Sequence, residues 1–287
     1  MAIRCHRKSF AVSDYDLTAT LDSGQAFRWK VIDGEWQGTV GDRWVALRQD
    51  DFGIHARCCV GPGDWSWLAD YLCLEHDLPA IVSTFPDDEP LKVAAAACRG
   101  LSLLRQDPWE CLASFICSSS KQIVQIRQIV ANLCHRYGKE LKSDTDQSWR
   151  SFPTAARLAE CSADELRECK MGYRAPYIQG SAQMVDNCEI DLAALAGMDC
   201  ESARKELLRL PGVGRKVADC VLLFAYGFQD AFPIDVWIGR GLRELYFLRR
   251  EPTRKRLLEF TETHFGPYAG YAQQYLFHYV RTVRKKA

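Results

Sequence analysis

Between Leu207 and Asp235 the chain reads LLRLPGVGRKVADCVLLFAYGFQDAFPID, and this stretch restricts the fold more than any other. Leu207, Leu208 and Leu210 close one helical apolar pattern, and Val217 to Phe224 open a second. The Pro211-Gly212-Val213-Gly214 segment between them predicts a tight hairpin, because glycine alone reaches positive φ at little cost. Two helices joined in this way aim the backbone N–H groups of the hairpin and of the second helix's first turn at one point. Such an array binds a phosphate. It grips backbone, so it positions a nucleic acid without reading its sequence.

Two helices around a Gly-rich turn resemble the helix-hairpin-helix DNA-binding motif. Two further residues make the stretch look enzymatic. Lys216 opens the second helix, and Asp235 follows nineteen residues later in Phe232-Pro233-Ile234-Asp235-Val236. Alone, Lys216 reads equally well as a phosphate contact, and Asp235 as a helix cap. Together, with the hairpin before them and Pro233 beside the aspartate, they resemble the helix-hairpin-helix DNA glycosylase superfamily. In that superfamily the lysine marks the members that also act as lyases.

Bulk properties set the frame. A chain of 287 residues makes one large domain or two to three small ones. No apolar run approaches the ~18 residues of a membrane helix, and MAIRCHRKSF lacks the apolar centre of a secretory signal. A soluble intracellular protein, cytoplasmic (nucleoid) or nuclear, is the expectation. The thirteen cysteines are odd in number and scattered; Cys98, Cys111, Cys117, Cys134 and Cys220 read as reduced core thiols. No pair of CxxC motifs points to zinc, and no cysteine follows Cys220, so the four-cysteine iron–sulfur loop of some related glycosylases is missing. Formal net charge is zero but unevenly spread. Residues 1–92 hold nine Lys/Arg against fifteen Asp/Glu, and residues 240–287 hold eleven against four. A basic C-terminal segment, including Arg249-Arg250, Arg254-Lys255-Arg256 and the Arg281–Lys286 tail, fits a DNA-facing patch or a solvated face.

Taken in order, residues 15–60 read as antiparallel strands, with Asp33-Gly34 turning between Phe27–Ile32 and Trp36–Val40. Helices are expected near 64–76 and 91–99, with 85–90 as a linker. Asp107-Pro108-Trp109-Glu110 predicts a helix start in which Asp107 caps and Glu110 closes a reciprocal box. Helices then follow to the C-terminus. The fold class is α+β. An antiparallel sheet domain (1–92) precedes an all-α domain (93–287) of two helical subdomains, with the hairpin at 207–224. Residues 93–117 and 236–287 are expected to pack together as one subdomain.

Five further motifs narrow the resemblance. They are Ser23-Gly24-Gln25-Ala26-Phe27-Arg28-Trp29, Leu103-Leu104-Arg105-Gln106-Asp107-Pro108, Ser114-Phe115-Ile116-Cys117-Ser118-Ser119, Met171-Gly172-Tyr173-Arg174-Ala175 and Gly266-Pro267-Tyr268-Ala269-Gly270-Tyr271-Ala272-Gln273. Together they resemble the 8-oxoguanine DNA glycosylase/AP lyases over roughly residues 13–280. The resemblance implies that Gly24 offers its carbonyl to N7–H of the oxidised base, where normal guanine carries a lone pair. A buried mismatch of that kind costs ~1–3 kcal/mol. It implies that Gln273 reads the Watson–Crick edge while Phe277 and Cys220 sandwich the ring. Tyr173 would wedge into the duplex, Arg174 would bond the abandoned cytosine, and Gly212, Val213 and Gly214 would hold phosphate. The carbonyls of Leu208, Leu210 and Val213 would hold a structural cation; the chemistry itself needs no cofactor. The partner implied is double-stranded DNA containing oxidised guanine, met by a monomer without any membrane.

The chain also departs from the family. Ser120, Lys121, Gln122 and Gln125 stand where it carries asparagines and an arginine, so a weaker preference for cytosine opposite the lesion is expected. Trp237 replaces a phosphate-contacting histidine of some relatives. Two other readings fit the hairpin: an alkylpurine DNA glycosylase, against which Lys216 argues, and a non-catalytic DNA binder.

The implied mechanism follows from the chemistry. A stacked base must be flipped out, at a few kcal/mol. Lys216 then attacks C1′, the base leaves, and elimination from the resulting Schiff base nicks the strand. An amine must be neutral to attack, and a free lysine with pKa ~10.4 is only about 0.04% neutral at pH 7. A helix dipole contributes ~0.3–1 kcal/mol. Burial moves such groups by as much as roughly 3–5 pKa units, so burial beneath the flipped base is the expected activator. Asp235, as an anion, would chiefly stabilise the cationic sugar.

Overall fold

The structure is a computed structural model that describes residues 5–59, 63–247 and 251–283. Arg249, Arg250 and Arg284 to Lys286, part of the basic segment above, lie outside the described residues.

The chain opens with strand β1 (His6–Phe10) and helix α1 (Leu17–Asp22). Strands β2 (Lys30–Ile32), β3 (Glu35–Val40), β4 (Arg43–Asp50) and β5 (Gly53–Cys58) complete a five-stranded antiparallel sheet in the order β1-β5-β4-β3-β2. Asp33 and Gly34 both take positive φ, 51° and 78°, the turn that matches the twist of a two-residue hairpin. Ile32 pairs with Glu35 across it.

The strand expectation for 15–60 needs correction at its start. Leu17 and Leu21 are buried one helical turn apart, and the Asp16 carboxylate accepts the Ala19 N–H, so 17–22 is a capped helix. Phe27 to Trp29 leave the strand to fill cores. Trp29 lies across β3 where Gly38 has no side chain; a Cβ there would come within 2.5 Å of the indole. The sheet's core joins Trp29, Val45, Leu47 and Ile54 to Leu68 and Leu72 of helix α2 (Ser66–Leu72). A disulfide links Cys5 to Cys59 beside β1 and β5, a pair the cysteine count did not reveal. Cys98, Cys111, Cys117, Cys134 and Cys220 are free and buried.

Helices α3 (Leu78–Ser83) and α4 (Glu89–Ala97) follow. The expected linker at 85–90 is in part a helix start, because Asp88 accepts the Leu91 N–H and Pro90 occupies the first turn. In helix α5 (Pro108–Cys117) Asp107 caps as expected, but Glu110 does not return to the cap. Its carboxylate lies 3.1 Å from the buried guanidinium of Arg28 instead. An interior cation requires an anion more than a helix end requires a second acceptor.

Helix α6 (Ile123–Tyr137) leads to a short ribbon, β6 (Glu140–Leu141) with β7 (Trp149–Arg150), and to helices α7 (Ala155–Ala159), α8 (Ala163–Leu166) and α9 (Ala175–Asp186). Helix α10 (Cys200–Leu207), the hairpin and helix α11 (Arg215–Val221) come next, and α11 runs on through a wider turn to Tyr226. Helices α12 (Val236–Tyr246), α13 (Arg254–His264) and α14 (Ala269–His278) follow, and α14 runs on through a wider turn to Val283.

Two cores divide the helices. Phe115, Leu133, Ile178 and Val221 join α5, α6, α9 and α11. Leu91, Ile238, Leu242, Phe265 and Leu276 join α4 to α12–α14. The stretch 93–117 is therefore split: α4 lies with the C-terminal helices, whereas α5 packs on α11, α6 and α9. Among the described residues no helix is long and apolar enough to cross a membrane.

Candidate active site

The hairpin needs its glycine at 212 for two reasons. Gly212 sits at φ +77°, and a Cβ there would come 2.7 Å from Tyr177 on α9. Ser181, also on α9, donates its hydroxyl to the Pro211 carbonyl at 3.0 Å. Val213 N–H closes the turn on the Leu210 carbonyl at 3.2 Å. Gly214 is extended and begins α11, with open space where a side chain would stand. The turn is thus seated on α9, and Lys216 becomes the second residue of α11.

The Lys216 amine donates to Ser118 Oγ at 2.9 Å and lies over the Phe115 ring, 4.8 Å from its centroid. Asp235 is the cap of α12: its carboxylate accepts the Ile238 N–H at 2.8 Å. Capping is therefore part of its role. Burial nevertheless pushes this carboxyl above the usual carboxylate range, outweighing the cap bond and the attraction of Lys216. Lys216, Ser118 and Asp235 together line two adjoining cavities. One is an open cleft of about 530 Å³ reaching Arg215, Arg243 and Arg254. The other is a narrower space of about 80 Å³ running toward Gly24 and α14.

Gly24, Cys220, Gln273 and Phe277, the four residues assigned to the base, all line that narrower pocket. Gly24 adopts φ +83°, and a Cβ there would lie 2.7 Å from Ile123 Cδ1. Gln273 is buried and donates Nε2–H to the Pro233 carbonyl at 3.0 Å. A carbonyl only accepts, so the amide orientation is settled and Oε1 is left buried without a partner. An orphan acceptor in a recognition pocket calls for a ligand N–H. Burial lifts the Cys220 thiol to about 12, so it is a neutral wall rather than a nucleophile.

Tyr173 and Arg174 stand apart from this pocket. Tyr173 is exposed, just beyond Gly172 at φ +60°. Arg174 is only 3% exposed, stacks on Tyr173 at 4.2 Å and bonds the carbonyls of Ser119 and Met171. It is held inside the protein, so reaching an unpaired cytosine would require releasing it. Ser120 sits at φ +55°, a conformation asparagine adopts more readily. Gln125 is occupied in capping α6, its side-chain oxygen accepting the Gln122 N–H at 3.2 Å.

The residue-by-residue reading missed four participants. Ser118 and Phe115 lay inside a quoted motif without a role. Lys121 lines the base pocket. Arg204 of α10 bonds the buried Asp219 of α11 at 2.7 Å, bracing the two legs of the hairpin. A charged residue on the apolar face of α11 was the available signal.

A Gly-rich turn between two helices, an amine on the wall of two cavities and a capping aspartate, all on a sheet-plus-helices frame, are the features of a base-excision repair protein. Residues 113–266 match the HhH-GPD superfamily of base excision DNA repair proteins, and the chain belongs to that family. The preceding part narrows it: residues 9–112 match the N-terminal domain of 8-oxoguanine DNA glycosylase. The chain is 33% identical to a protein named "Probable N-glycosylase/DNA lyase" from Methanothermobacter thermautotrophicus, over 94% of this chain and 95% of the other. It is 33% identical to the N-glycosylase/DNA lyase OGG1 of Arabidopsis thaliana, over 92% of this chain and 77% of that one. The 8-oxoguanine glycosylase/lyase of Clostridium acetobutylicum, solved with double-stranded DNA carrying cytosine opposite 8-oxoguanine, superposes with a TM-score of 0.90 at 28% identity, covering 100% of both chains.

Proposed function

We propose that this protein excises 8-oxoguanine from duplex DNA and then nicks the abasic strand, with Lys216 as the nucleophile of both steps. The observation that carries the reading is the Lys216 amine on the wall shared by an open cleft and a narrow pocket. The cleft is where a sugar would stand, and the pocket is where its base would go. Gly212, Val213 and Gly214 hold a backbone phosphate, and Tyr173 fills the gap left in the stack. The flipped purine lies between Cys220 and Phe277. The Gly24 carbonyl takes N7–H of the oxidised base, and the unpaired Gln273 oxygen takes an N–H of its Watson–Crick edge.

Lys216 bonds to C1′ as the C1′–N9 bond breaks, and opening of the sugar leaves a Schiff base. Loss of the C2′ proton then expels the 3′ phosphate. Asp235, as the anion, stabilises the positive sugar while the bond is breaking. The carbonyls of Leu208, Leu210 and Val213 offer neutral oxygen donors suited to a hard cation, which would stiffen the turn. The protein acts as a monomer on DNA.

Borohydride reduction during incubation with an 8-oxoguanine duplex is the test. A covalent protein–DNA adduct is expected with the native chain and none with Lys216→Gln. A panel adding alkylpurine and uracil duplexes separates this reading from an alkylpurine glycosylase, and binding without any excision would overturn it.

A further inference from the structure

We infer that Lys121 is a second catalytic amine of the base pocket, one that holds the charge of the departing purine; this rests on the excision reading above. Lys121 lines the same narrow space as Lys216, Gln273 and Phe277. The root of its side chain is fixed by the turn after α5, in which its N–H bonds the Ser118 carbonyl at 3.2 Å. Ser118 is also the residue that receives Lys216. Among the described residues the lysines held in ion pairs are Lys92 and Lys255, so Lys121 is not committed to a carboxylate.

Charge accounting gives this amine a task. Lys216 must be neutral to attack, so it brings no positive charge at the start. Asp235 is an anion that serves the sugar. Of the remaining walls near the base, Phe115, Phe224 and Ile123 are apolar, and the polar ones, Ser118 and Gln274, carry no charge. Arg281 lies behind Gly24 and Phe277, bonded to the Asp22 carbonyl, and is not part of the pocket lining. When C1′–N9 breaks, the electron pair of that bond goes to the purine and the positive charge appears on the Lys216 nitrogen. In an apolar pocket an unmatched anion is costly. An ammonium on Lys121 hydrogen-bonds that anion until the proton shed by the Lys216 nitrogen neutralises it. Lys121 leaves the step as it entered.

Single-turnover kinetics on two duplexes test this. An 8-oxoguanine duplex reports base release plus nicking, whereas a preformed abasic duplex reports nicking alone, with no leaving base. Lys121→Gln is expected to slow excision roughly 10- to 100-fold, the range of a hydrogen bond to a charged group, while abasic nicking proceeds. Lys121→Arg is expected to recover most of the excision rate. Equal loss on both duplexes would overturn the inference, because it marks a structural or DNA-gripping role. Unchanged excision by Lys121→Gln would overturn it as well. If the native chain nicks abasic DNA but releases no 8-oxoguanine, the functional reading itself fails, and that outcome is visible before any variant is made.

Discussion

Ser118 Oγ stands 2.9 Å from Lys216 Nζ and 2.7 Å from the carbonyl oxygen of Phe115. A hydroxyl has one proton, and the Phe115 carbonyl takes it, so a lone pair of Ser118 is turned toward the amine. The serine thereby aims the nucleophile. Ser118→Ala is expected to lower the single-turnover rate about tenfold to a hundredfold through misorientation of Lys216, with the borohydride adduct still forming. An unchanged rate, or complete loss of the adduct, would show that the hydroxyl does something else.

Asp235 both caps α12 and faces the cleft, and Asp235→Asn separates these roles. Asparagine caps as well as aspartate, so the helix start survives while the charge is lost. Base release is expected to fall about 10²- to 10³-fold, with DNA affinity largely kept. Stability should move the other way. An aspartate in an unfolded chain titrates near ~3.9, and burial raises Asp235 above that in the fold. A raised folded value means its stabilising contribution is complete below the unfolded pKa and is lost as pH rises through the folded one. At neutral pH the charged residue is thus a net cost, and the asparagine variant should melt higher than the native protein. For the same reason native excision should rise with pH through the raised value, as the active anion forms. A lower melting temperature for Asp235→Asn at pH 7 would contradict the burial argument.

The two legs of the hairpin are joined by Arg204 and Asp219, with the Arg204 Nε 2.7 Å from the carboxylate and only 8% of the arginine exposed. Asp219 holds the guanidinium firmly charged. Removing Arg204 leaves the buried Asp219 with only the longer contact to Arg215, 3.6 Å away, at a cost of up to about 3–5 kcal/mol. Arg204→Ala should therefore lower the unfolding free energy by up to that amount, read from denaturant unfolding, together with weaker binding to undamaged duplex, since the hairpin turn loses its brace. Stability within about 1 kcal/mol of native would place the pair among the weakly contributing surface contacts.

Much of this site was legible because its residues sit close in sequence or inside short motifs. Pro211 to Gly214, Lys216 and Asp235 fall within one stretch, and turn chemistry plus helical periodicity places them correctly. Gly24 announces itself only through a motif, since its requirement comes from Ile123, nearly a hundred residues away in the chain. Pairings formed by folding alone stayed hidden. Glu110 has local geometry for a capping box, yet Arg28, far upstream, claims it. Arg174 carries a fitting motif, yet its neighbours are the carbonyls of Ser119 and Met171. Strand β1 lies before the stretch read as strands, and α1 was read as strand for a related reason: a buried Leu-x-x-x-Leu spacing with an Asp cap is short, and the alternating pattern beside it is stronger.

Opposite-base preference is where these hidden pairings should be felt. A protein that senses the abandoned cytosine needs donors facing the unstacked strand. Here Arg174 is turned inward, Gln125 is spent on the start of α6, and Ser120 has a short hydroxyl at φ +55°. With at most one net hydrogen bond of discrimination, about 1 kcal/mol, excision opposite cytosine should exceed excision opposite adenine by no more than about tenfold. Single-turnover rates against all four opposite bases measure this directly. A Ser120→Asn, Gln125→Arg double variant should widen the ratio, because asparagine tolerates the left-handed backbone and arginine brings a long donor to the first turn of α6. A native enzyme that already rejects adenine a hundredfold or more would mean that Arg174 leaves its buried carbonyl partners when DNA binds.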